Sequence, residues 1–139
     1  MQKYAVRTGG GHNHRFGLFD AVMIKDNHIV AAGGLTQAMT QVKAQVGHTV
    51  KIEVEVDTIT QLEEVLPLRP DIVLLDNMAP ETLSQAVGLC EGRCITEASG
   101  NITLATVREV AATGGDYISS GGLTHSAPNL DLGLDFCAV

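Results

Sequence analysis

Tryptophan is absent from the 139-residue sequence, and phenylalanine and tyrosine bring the aromatic content to only 4%. Aliphatic side chains must therefore fill any buried core. Cysteine is also scarce. Cys90, Cys94 and Cys137 contain no C-x-x-C pair, which predicts reduced thiols rather than a disulfide or zinc framework.

No apolar run approaches the ~20 residues of a membrane span, and no signal-like segment follows Met1. We expect a cytoplasmic protein of one domain, residues 1–139, without a membrane partner.

Positive charge is scarce overall but concentrated at one end. The chain has 9 basic and 16 acidic residues, a formal net charge of −7, which argues against a nucleic-acid partner. Residues 1–28 carry a net charge of +2, whereas the rest of the chain carries −9. A basic pocket within an acidic protein suits a small anionic ligand, although a basic run can also be a solvated surface.

Five short apolar runs alternate with helical patterns, which predicts repeated βα units and a parallel sheet. We expect strands at 21–24, 50–56, 72–75, 94–97 and 117–119. Helices are expected at 35–46 with Gly47 as the cap, after Thr60 with Glu63 as a capping box, from Pro80 to Val87, and at 103–112. The pattern predicts an α/β fold of the (β/α) barrel type with about five βα strands.

Polar residues follow the predicted strands at regular intervals. Glu55, Asp76, Ser99 and Gly121 are spaced by about 22 residues, the length of one βα unit, and Lys25 follows the first strand. In a barrel these positions converge on one mouth, where ligands bind. The alternative is a charged strand face exposed to solvent, but parallel strands flanked by helices rarely leave such a face free.

Two kinds of anion site are expected at this mouth. Arg15 offers a bidentate guanidinium, with His14 and Lys25 nearby, for a carboxylate or phosphate. We expect the segment of Ser99 and Gly100 to open the fourth helix, and Gly121 and Gly122 to follow the last strand; both loops offer backbone N–H groups to a phosphate.

A metal site built from His12, His14 and His28 is an alternative interpretation of the basic segment at residues 1–28. The spacing gives no closed ligand set for zinc, and the neighbouring arginine would repel a cation.

The chain resembles the quinolinate phosphoribosyltransferase family, also called nicotinate-nucleotide pyrophosphorylase (carboxylating). The resemblance rests on motifs that occur in order along nearly the whole chain: KYAVRTGGG (3–11), NHR (13–15), IKDNH (24–28), EVEV (53–56), LLDN (74–77), EASG (97–100) and GGLTH (121–125). It implies transfer of a phosphoribosyl group from phosphoribosyl pyrophosphate to quinolinate with Mg²⁺. The implied products are nicotinate mononucleotide, pyrophosphate and CO₂, in NAD biosynthesis.

The resemblance implies a role for each candidate site residue. His14, Arg15 and Lys25 would hold the quinolinate carboxylates, and Lys25, Glu55 and Asp76 would form the catalytic group. Glu55 and Asp76 would also contact the ribose hydroxyls and a hydrated Mg²⁺. The 5′-phosphate would be bound by the remaining candidates, which are Ser99, Gly100, Gly121, Gly122 and His125.

The resemblance also implies parts that this chain lacks. Members of the family are about twice as long, with an N-terminal α/β domain and an Arg-Lys-Thr motif on the first barrel strand, and they form homodimers or higher homo-oligomers. We therefore expect the C-terminal part of a barrel, inactive when isolated. The alternatives are a molybdenum-transport-associated paralogue of the same fold, a nicotinate phosphoribosyltransferase and a non-catalytic barrel subunit that binds phosphosugars or only dimerises.

Overall fold

The computed structural model describes residues 1–137 and contains one five-stranded parallel sheet. Its strands are β1 (Val22–Ile24), β2 (Ile52–Val56), β3 (Ile72–Asp76), β4 (Ile95–Ser99) and β5 (Tyr117–Ile118). They pair in sequential order, so each strand lies beside the next one along the chain. This is the arrangement of a βα-barrel wall. The predicted α/β fold with five βα strands of an open barrel is confirmed, with strand ends within two residues of those expected.

The helices are α1 (Gln2–Thr8), α2 (Asp26–Ala32), α3 (Leu35–Gln45), α4 (Ile59–Val65), α5 (Pro80–Cys90), α6 (Val107–Ala111) and α7 (Gly122–His125), with a 3₁₀ turn at Leu66–Leu68. Buried leucines of α3, α4 and α5 form the core with the strands. None of the helices in residues 1–137 is long and apolar enough to cross a membrane.

The two faces of the sheet differ in chemistry because side chains alternate along each strand. Val54 is aligned with Val73, and both are fully buried in the core against the helices. The opposite face carries Glu53 and Glu55 of β2 and Glu97 of β4. Glu55 and Glu97 lie in one row, separated by a single residue of β3. The acidic side chains therefore share the face that would line a barrel.

Two aspartates join neighbouring strands in the same way. Asp71, just before β3, accepts hydrogen bonds from Ile52 N at 2.9 Å and from Lys51 Nζ at 2.9 Å. Asp116, just before β5, accepts bonds from the backbone N and the hydroxyl of Thr96 at 2.8 and 2.9 Å. Each carboxylate satisfies a donor at the amino end of the preceding strand, which fixes where the strands begin.

Two predicted helix caps are wrong. α4 begins at Ile59, and its capping box is Thr58 with Gln61 rather than Thr60 with Glu63. Thr58 Oγ1 accepts from Gln61 N at 3.2 Å, and this S/T-x-x-Q spacing fits the helix start. α3 ends at Gln45 with an extended Val46 as its cap, so no left-handed residue is needed and Gly47 does not serve as the cap.

The predicted start of the fourth helix is also wrong. This helix, α6, begins at Val107 rather than at 103, because Thr106 Oγ1 accepts from Thr103 N at 3.0 Å and closes a turn first. Ser99 and Gly100 therefore precede a turn and do not lie at a helix N-terminus. The helix dipole cannot contribute to anion binding at these two residues.

Candidate functional site

Two carboxylates on the open face of the sheet converge on His14. Its Nε2 lies 3.3 Å from Glu53 Oε2 and 3.5 Å from Glu97 Oε1. Glu53 is 2% exposed and Glu97 8% exposed. The hydrogen bond to Glu53 raises the pKa of His14 above its usual value near 6.5, and the charge of Glu97 adds to this, while partial burial and the charge of Arg15 oppose it. The arrangement favours a charged imidazolium.

The two carboxylates differ in their other partners. Glu97 Oε1 also accepts a hydrogen bond from the hydroxyl of Ser119, just after β5. Glu53 Oε1 is buried without a hydrogen-bond partner among the described residues. A buried carboxylate oxygen without a donor is costly, so this corner of the site concentrates negative charge around one imidazole.

Arg15 is held at the edge of the sheet by main-chain contacts. Its Nη1 donates to Ala21 O at 3.0 Å, just before β1. The Arg15 carbonyl accepts from Lys3 Nζ at 2.8 Å, and Asn13 Nδ2 donates to Lys3 O at 2.9 Å, which ties the loop to α1. The guanidinium has five N–H donors and uses one of them here, so it can still bind an anion.

One cavity of about 490 Å³ brings the two predicted anion sites together. The residues that line it include His14 and Arg15 from the basic loop, Ser99 after β4, and Gly121 after β5. This volume lies in the range of ligand-binding clefts. His14 and Arg15, predicted for carboxylate binding, therefore face the same space as Ser99 and Gly121, predicted for phosphate binding. The other candidates for phosphate binding do not line this cavity: Gly100, Gly122 and His125.

Lys25 and Glu55 form an ion pair, with Lys25 Nζ 2.5 Å from Glu55 Oε2. Lys25 follows β1 and Glu55 lies near the end of β2, so the pair joins the carboxyl ends of two neighbouring strands. Among residues 1–137, the side chains lining the 490 Å³ cavity do not include Lys25, Glu55 or Asp76. These three candidates occupy the same sheet edge but a different part of it.

Asp76 belongs to a small amide network. Asn77 Nδ2 donates to Asp76 Oδ2 at 2.6 Å, and Asn101 Nδ2 donates to Asn77 Oδ1 at 2.9 Å. Gly100 has a φ of +90°, and a Cβ at this position would lie 2.7 Å from Asn77 N. Only glycine fits this conformation and this close approach. The network holds the ends of β3 and β4 together.

The last predicted loop is folded against its neighbours. Gly121 is the N-cap of α7, which begins at Gly122, and a Cβ on Gly121 would lie only 2.8 Å from His125 Nε2. Ser120 Oγ donates to Ile102 O at 2.9 Å, which joins this loop to the one after β4. The two candidate phosphate loops are therefore adjacent.

The three-histidine metal site is not formed. His28 Nδ1 accepts a hydrogen bond from Lys25 N at 3.0 Å, where it caps α2. In the part of the chain that the structure describes, the groups that gather around His14 are Glu53 and Glu97 rather than His12 and His28.

Sequence reasoning did not select Glu53, Glu97 or Asn77 as site residues. A signal existed for Glu53, because it shares the strand face of Glu55 two residues later. Glu97 precedes Ser99 with the same spacing. The link from both carboxylates to His14 depends on the path of the loop before β1, which spacing alone does not reveal.

Comparison with known proteins decides the family. A sequence profile described as "Quinolinate phosphoribosyl transferase, C-terminal domain" matches residues 1–135. The chain belongs to the quinolinate phosphoribosyltransferase family. It is 47% identical over 135 residues to the probable nicotinate-nucleotide pyrophosphorylase [carboxylating] of Bacillus subtilis, covering 97% of this chain and 47% of that protein. It is 46% identical over 156 residues to quinolinate phosphoribosyltransferase [decarboxylating] 1b of Nicotiana tabacum, covering 96% of this chain and 43% of that protein.

Solved structures of family members agree with the fold. The crystal structure of NadC from Streptococcus pyogenes matches with a TM-score of 0.87 and 48% identity, over 94% of this chain and 46% of that chain. The nicotinate-nucleotide pyrophosphorylase of Ehrlichia chaffeensis matches with a TM-score of 0.89 and 42% identity, over 96% and 48% of the two chains. The chain thus spans a little under half the length of these family members.

Proposed function

We propose that this chain forms the barrel part of an enzyme that transfers the phosphoribosyl group of phosphoribosyl pyrophosphate to quinolinate. The products are nicotinate mononucleotide, pyrophosphate and CO₂, in NAD biosynthesis. The observation that carries the proposal is the shared cavity, in which His14 and Arg15 face the same space as Ser99 and Gly121. A dicarboxylate and a phosphosugar must meet in one cleft for this reaction, and the relatives named above carry the corresponding names.

In this proposal the basic loop binds quinolinate. Arg15 has a planar fork of N–H donors that matches a carboxylate, and its position is fixed by the bond to Ala21 O. His14 contributes a second donor when it is protonated. Lys25 adds a compact positive charge after it exchanges its contact with Glu55 for one with the substrate.

Glu55 and Asp76 are proposed to hold a hydrated Mg²⁺ and the ribose hydroxyls. They lie on the same sheet face of neighbouring strands, two residues apart in register, so their Cα atoms are about 8 Å apart by strand geometry. Two carboxylates at this separation fit an ion that keeps several waters. When bound, Mg²⁺ would stabilise the charge on the departing pyrophosphate.

The loops after β4 and β5 are proposed to bind the 5′-phosphate. Ser99, Gly100, Gly121 and Gly122 would supply a hydroxyl and backbone N–H groups, and His125 lies beside Gly121. The Ser120–Ile102 bond keeps the loops together, so the donors are ordered before the phosphate arrives. Binding by ordered donors avoids the entropy cost of fixing a loop.

The proposed chemistry requires mainly placement of the reactants. The quinolinate nitrogen attacks the anomeric carbon while the bond from that carbon to pyrophosphate breaks, so positive charge develops on the ribosyl ring. Holding the nitrogen close to the anomeric carbon supplies much of the rate. The ring nitrogen is then cationic and accepts the electron pair released when the adjacent carboxylate leaves as CO₂, and a proton takes the place of that carboxylate.

We further propose that the chain acts in the cytoplasm as part of a homodimer or higher homo-oligomer, and that it is inactive in isolation. The test is a chimaera that joins the N-terminal part of the Bacillus subtilis relative, outside the matched region, to this 139-residue chain. With quinolinate, phosphoribosyl pyrophosphate and Mg²⁺, it should form nicotinate mononucleotide. A folded chimaera that binds phosphosugar without forming product would instead favour a non-catalytic subunit or the molybdenum-associated paralogue.

A further inference from the structure

An unusual charge balance surrounds His14. Glu53 and Glu97 both approach the same ring nitrogen, Nε2, at 3.3 and 3.5 Å, and both carboxylates are almost fully buried. A neutral imidazole with its proton on Nε2 can donate only one strong hydrogen bond there, which would leave two buried negative charges without a positive partner. A protonated ring neutralises one of these charges and attracts the other.

The protonation state also decides what the other ring nitrogen offers. In a neutral His14 with its proton on Nε2, Nδ1 has a lone pair and repels a carboxylate. In an imidazolium both nitrogens carry protons, so Nδ1–H becomes a donor. His14 lines the 490 Å³ cavity, and its side chain is 37% exposed, so a ligand can reach the ring.

We propose that Glu53 and Glu97 are positioning residues that hold His14 as an imidazolium and leave Nδ1–H to donate to a carboxylate of the anionic substrate. This rests on the proposed function for the identity of that substrate. Both glutamates act on the substrate through His14, and Glu97 also lines the 490 Å³ cavity. Ser119 donates to Glu97 and keeps that carboxylate in place.

The surroundings favour a proton rather than a metal ion between these groups. The other charged groups that line the cavities around His14 are mostly basic, with Asp20 as the acidic exception: Lys3, Arg7, His12, Arg15 and Lys51. The remaining titratable groups there are the phenols of Tyr4 and Tyr117. A divalent cation would meet repulsion from the basic groups. An imidazolium carries a single charge, donates one hydrogen bond from Nε2 to Glu53 and attracts the charge of Glu97.

The test measures His14 protonation in the 139-residue chain by NMR titration of the histidine ring. In the parent chain His14 should titrate above 6.5. Glu53→Gln and Glu97→Gln should each lower its pKa, because each removes a negative charge near Nε2. Glu81→Gln, an exposed change on α5, removes the same charge elsewhere and should leave His14 unchanged. Two variants are needed because either buried substitution alone can unfold the chain, which circular dichroism would report.

Quinolinate is the probe for the second step. Its apparent Kd, taken from NMR shift changes at a series of pH values, should rise by on the order of tenfold as His14 loses its proton, the effect of losing one charge-assisted hydrogen bond. In the glutamine variants this rise should begin at lower pH, by the amount that the His14 pKa falls.

Two results would overturn the inference: an unchanged His14 pKa in both folded variants, or micromolar binding of Zn²⁺ that perturbs His14 in the parent and is lost in Glu53→Gln. The titration needs no substrate. If His14 behaves as expected but quinolinate binds at no pH to the isolated chain or to the chimaera, the proposed substrate is wrong while the role of the glutamates in charging His14 is supported.

Discussion

Lys25 Nζ lies 2.5 Å from Glu55 Oε2, so an ion pair closes the carboxyl ends of β1 and β2. The side chain of Glu55 is only 18% exposed, which makes the pair stronger than one in open water. In the proposed reaction, a substrate carboxylate or a hydrated cation at this edge would compete for one member of the pair and release the other, which would link binding of the two ligands.

The first prediction concerns Glu55 in the chimaera. Glu55→Gln should lower turnover and move the Mg²⁺ dependence to higher concentration, because a neutral amide attracts the hydrated ion less strongly than a carboxylate. The measurement is initial rate against Mg²⁺ concentration. Glu81→Gln, with the same charge loss on the surface of α5, should leave the curve unchanged. Overlapping Mg²⁺ curves for parent and Glu55→Gln would remove Glu55 from the proposed metal site.

The second prediction concerns Arg15. Arg15→Lys keeps the charge but loses the planar fork and the bond to Ala21 O. We expect the KM for quinolinate to rise on the order of tenfold to a hundredfold, with a much smaller change for phosphoribosyl pyrophosphate. Steady-state kinetics with each substrate varied in turn measure the two KM values. Arg108→Lys, at an exposed position of α6, is the control and should change neither. Equal effects on the two substrates would contradict the assignment.

The fold was predictable because burial imposes strong patterns on the strands. Apolar and acidic residues alternate along β2, and β3 is a nearly continuous apolar run. The βα unit of about 22 residues repeats along the chain. α1 and α2 were not predicted. Neither contains a buried residue, so neither has the apolar periodicity that marks a helix packed on a core.

The site was predictable only where the backbone pattern fixes a position. Strand parity and strand ends located Glu55, Asp76 and Ser99 on one edge. The contacts of His14 depend on a loop whose course is set by hydrogen bonds between Lys3 of α1 and the loop residues Asn13 and Arg15. No local sequence pattern specifies such bonds. The sequence therefore named His14 but not its two partners.

The third prediction uses two glycines with similar backbone angles. Gly100 and Gly114 have φ values of +90° and +86°, but a Cβ would collide with Asn77 at Gly100 and would meet nothing within 4 Å at Gly114. Gly114→Ala should cost about 1 kcal/mol of stability from the backbone conformation alone. Gly100→Ala should cost about 2–4 kcal/mol, because the collision adds to it.

Thermal unfolding of both variants measures the difference. In the chimaera, Gly100→Ala should also raise the KM for phosphoribosyl pyrophosphate, because displacement of Asn77 disturbs Asp76. Equal stability losses for the two variants would show that the contact with Asn77 is unimportant.

The fourth prediction concerns the pH dependence of stability through Asp116. Hydrogen bonds from the backbone and then the hydroxyl of Thr96 lower the pKa of Asp116 below its usual value near 3.8. A lowered folded-state pKa means that the stabilisation is complete above the unfolded-state pKa and disappears as pH falls through the folded-state value. Asp116→Ala should lower the free energy of unfolding by about 1 kcal/mol at pH 7. The loss is modest because Asp116 is exposed, so water can take over part of its hydrogen bonding to Thr96.

The loss of stability caused by Asp116→Ala should become smaller as the pH is lowered below about 4. Urea unfolding at a series of pH values gives the comparison. Asp135→Ala, at an exposed position outside the helices and strands, serves as the control and should have no such effect. A cost that stays constant down to pH 2 would mean that the ionised form of Asp116 is not what stabilises the fold.

The last prediction concerns the 139-residue chain without any other part of the protein. The candidate phosphate donors lie on adjacent loops joined by the Ser120–Ile102 bond, so this corner should bind phosphosugars on its own. A few exposed hydrogen bonds correspond to roughly millimolar affinity. Turnover should be absent, because β1 and β5 each pair on one side only in residues 1–137, which leaves the wall of the site open. Calorimetry with phosphate, ribose 5-phosphate and quinolinate, beside an assay for nicotinate mononucleotide, separates binding from catalysis.

Replacing Ser120 with alanine should weaken ribose 5-phosphate binding by loosening the joined loops, whereas Ser84→Ala on α5 should not. Product formed by the isolated chain would show that these residues contain a complete active site.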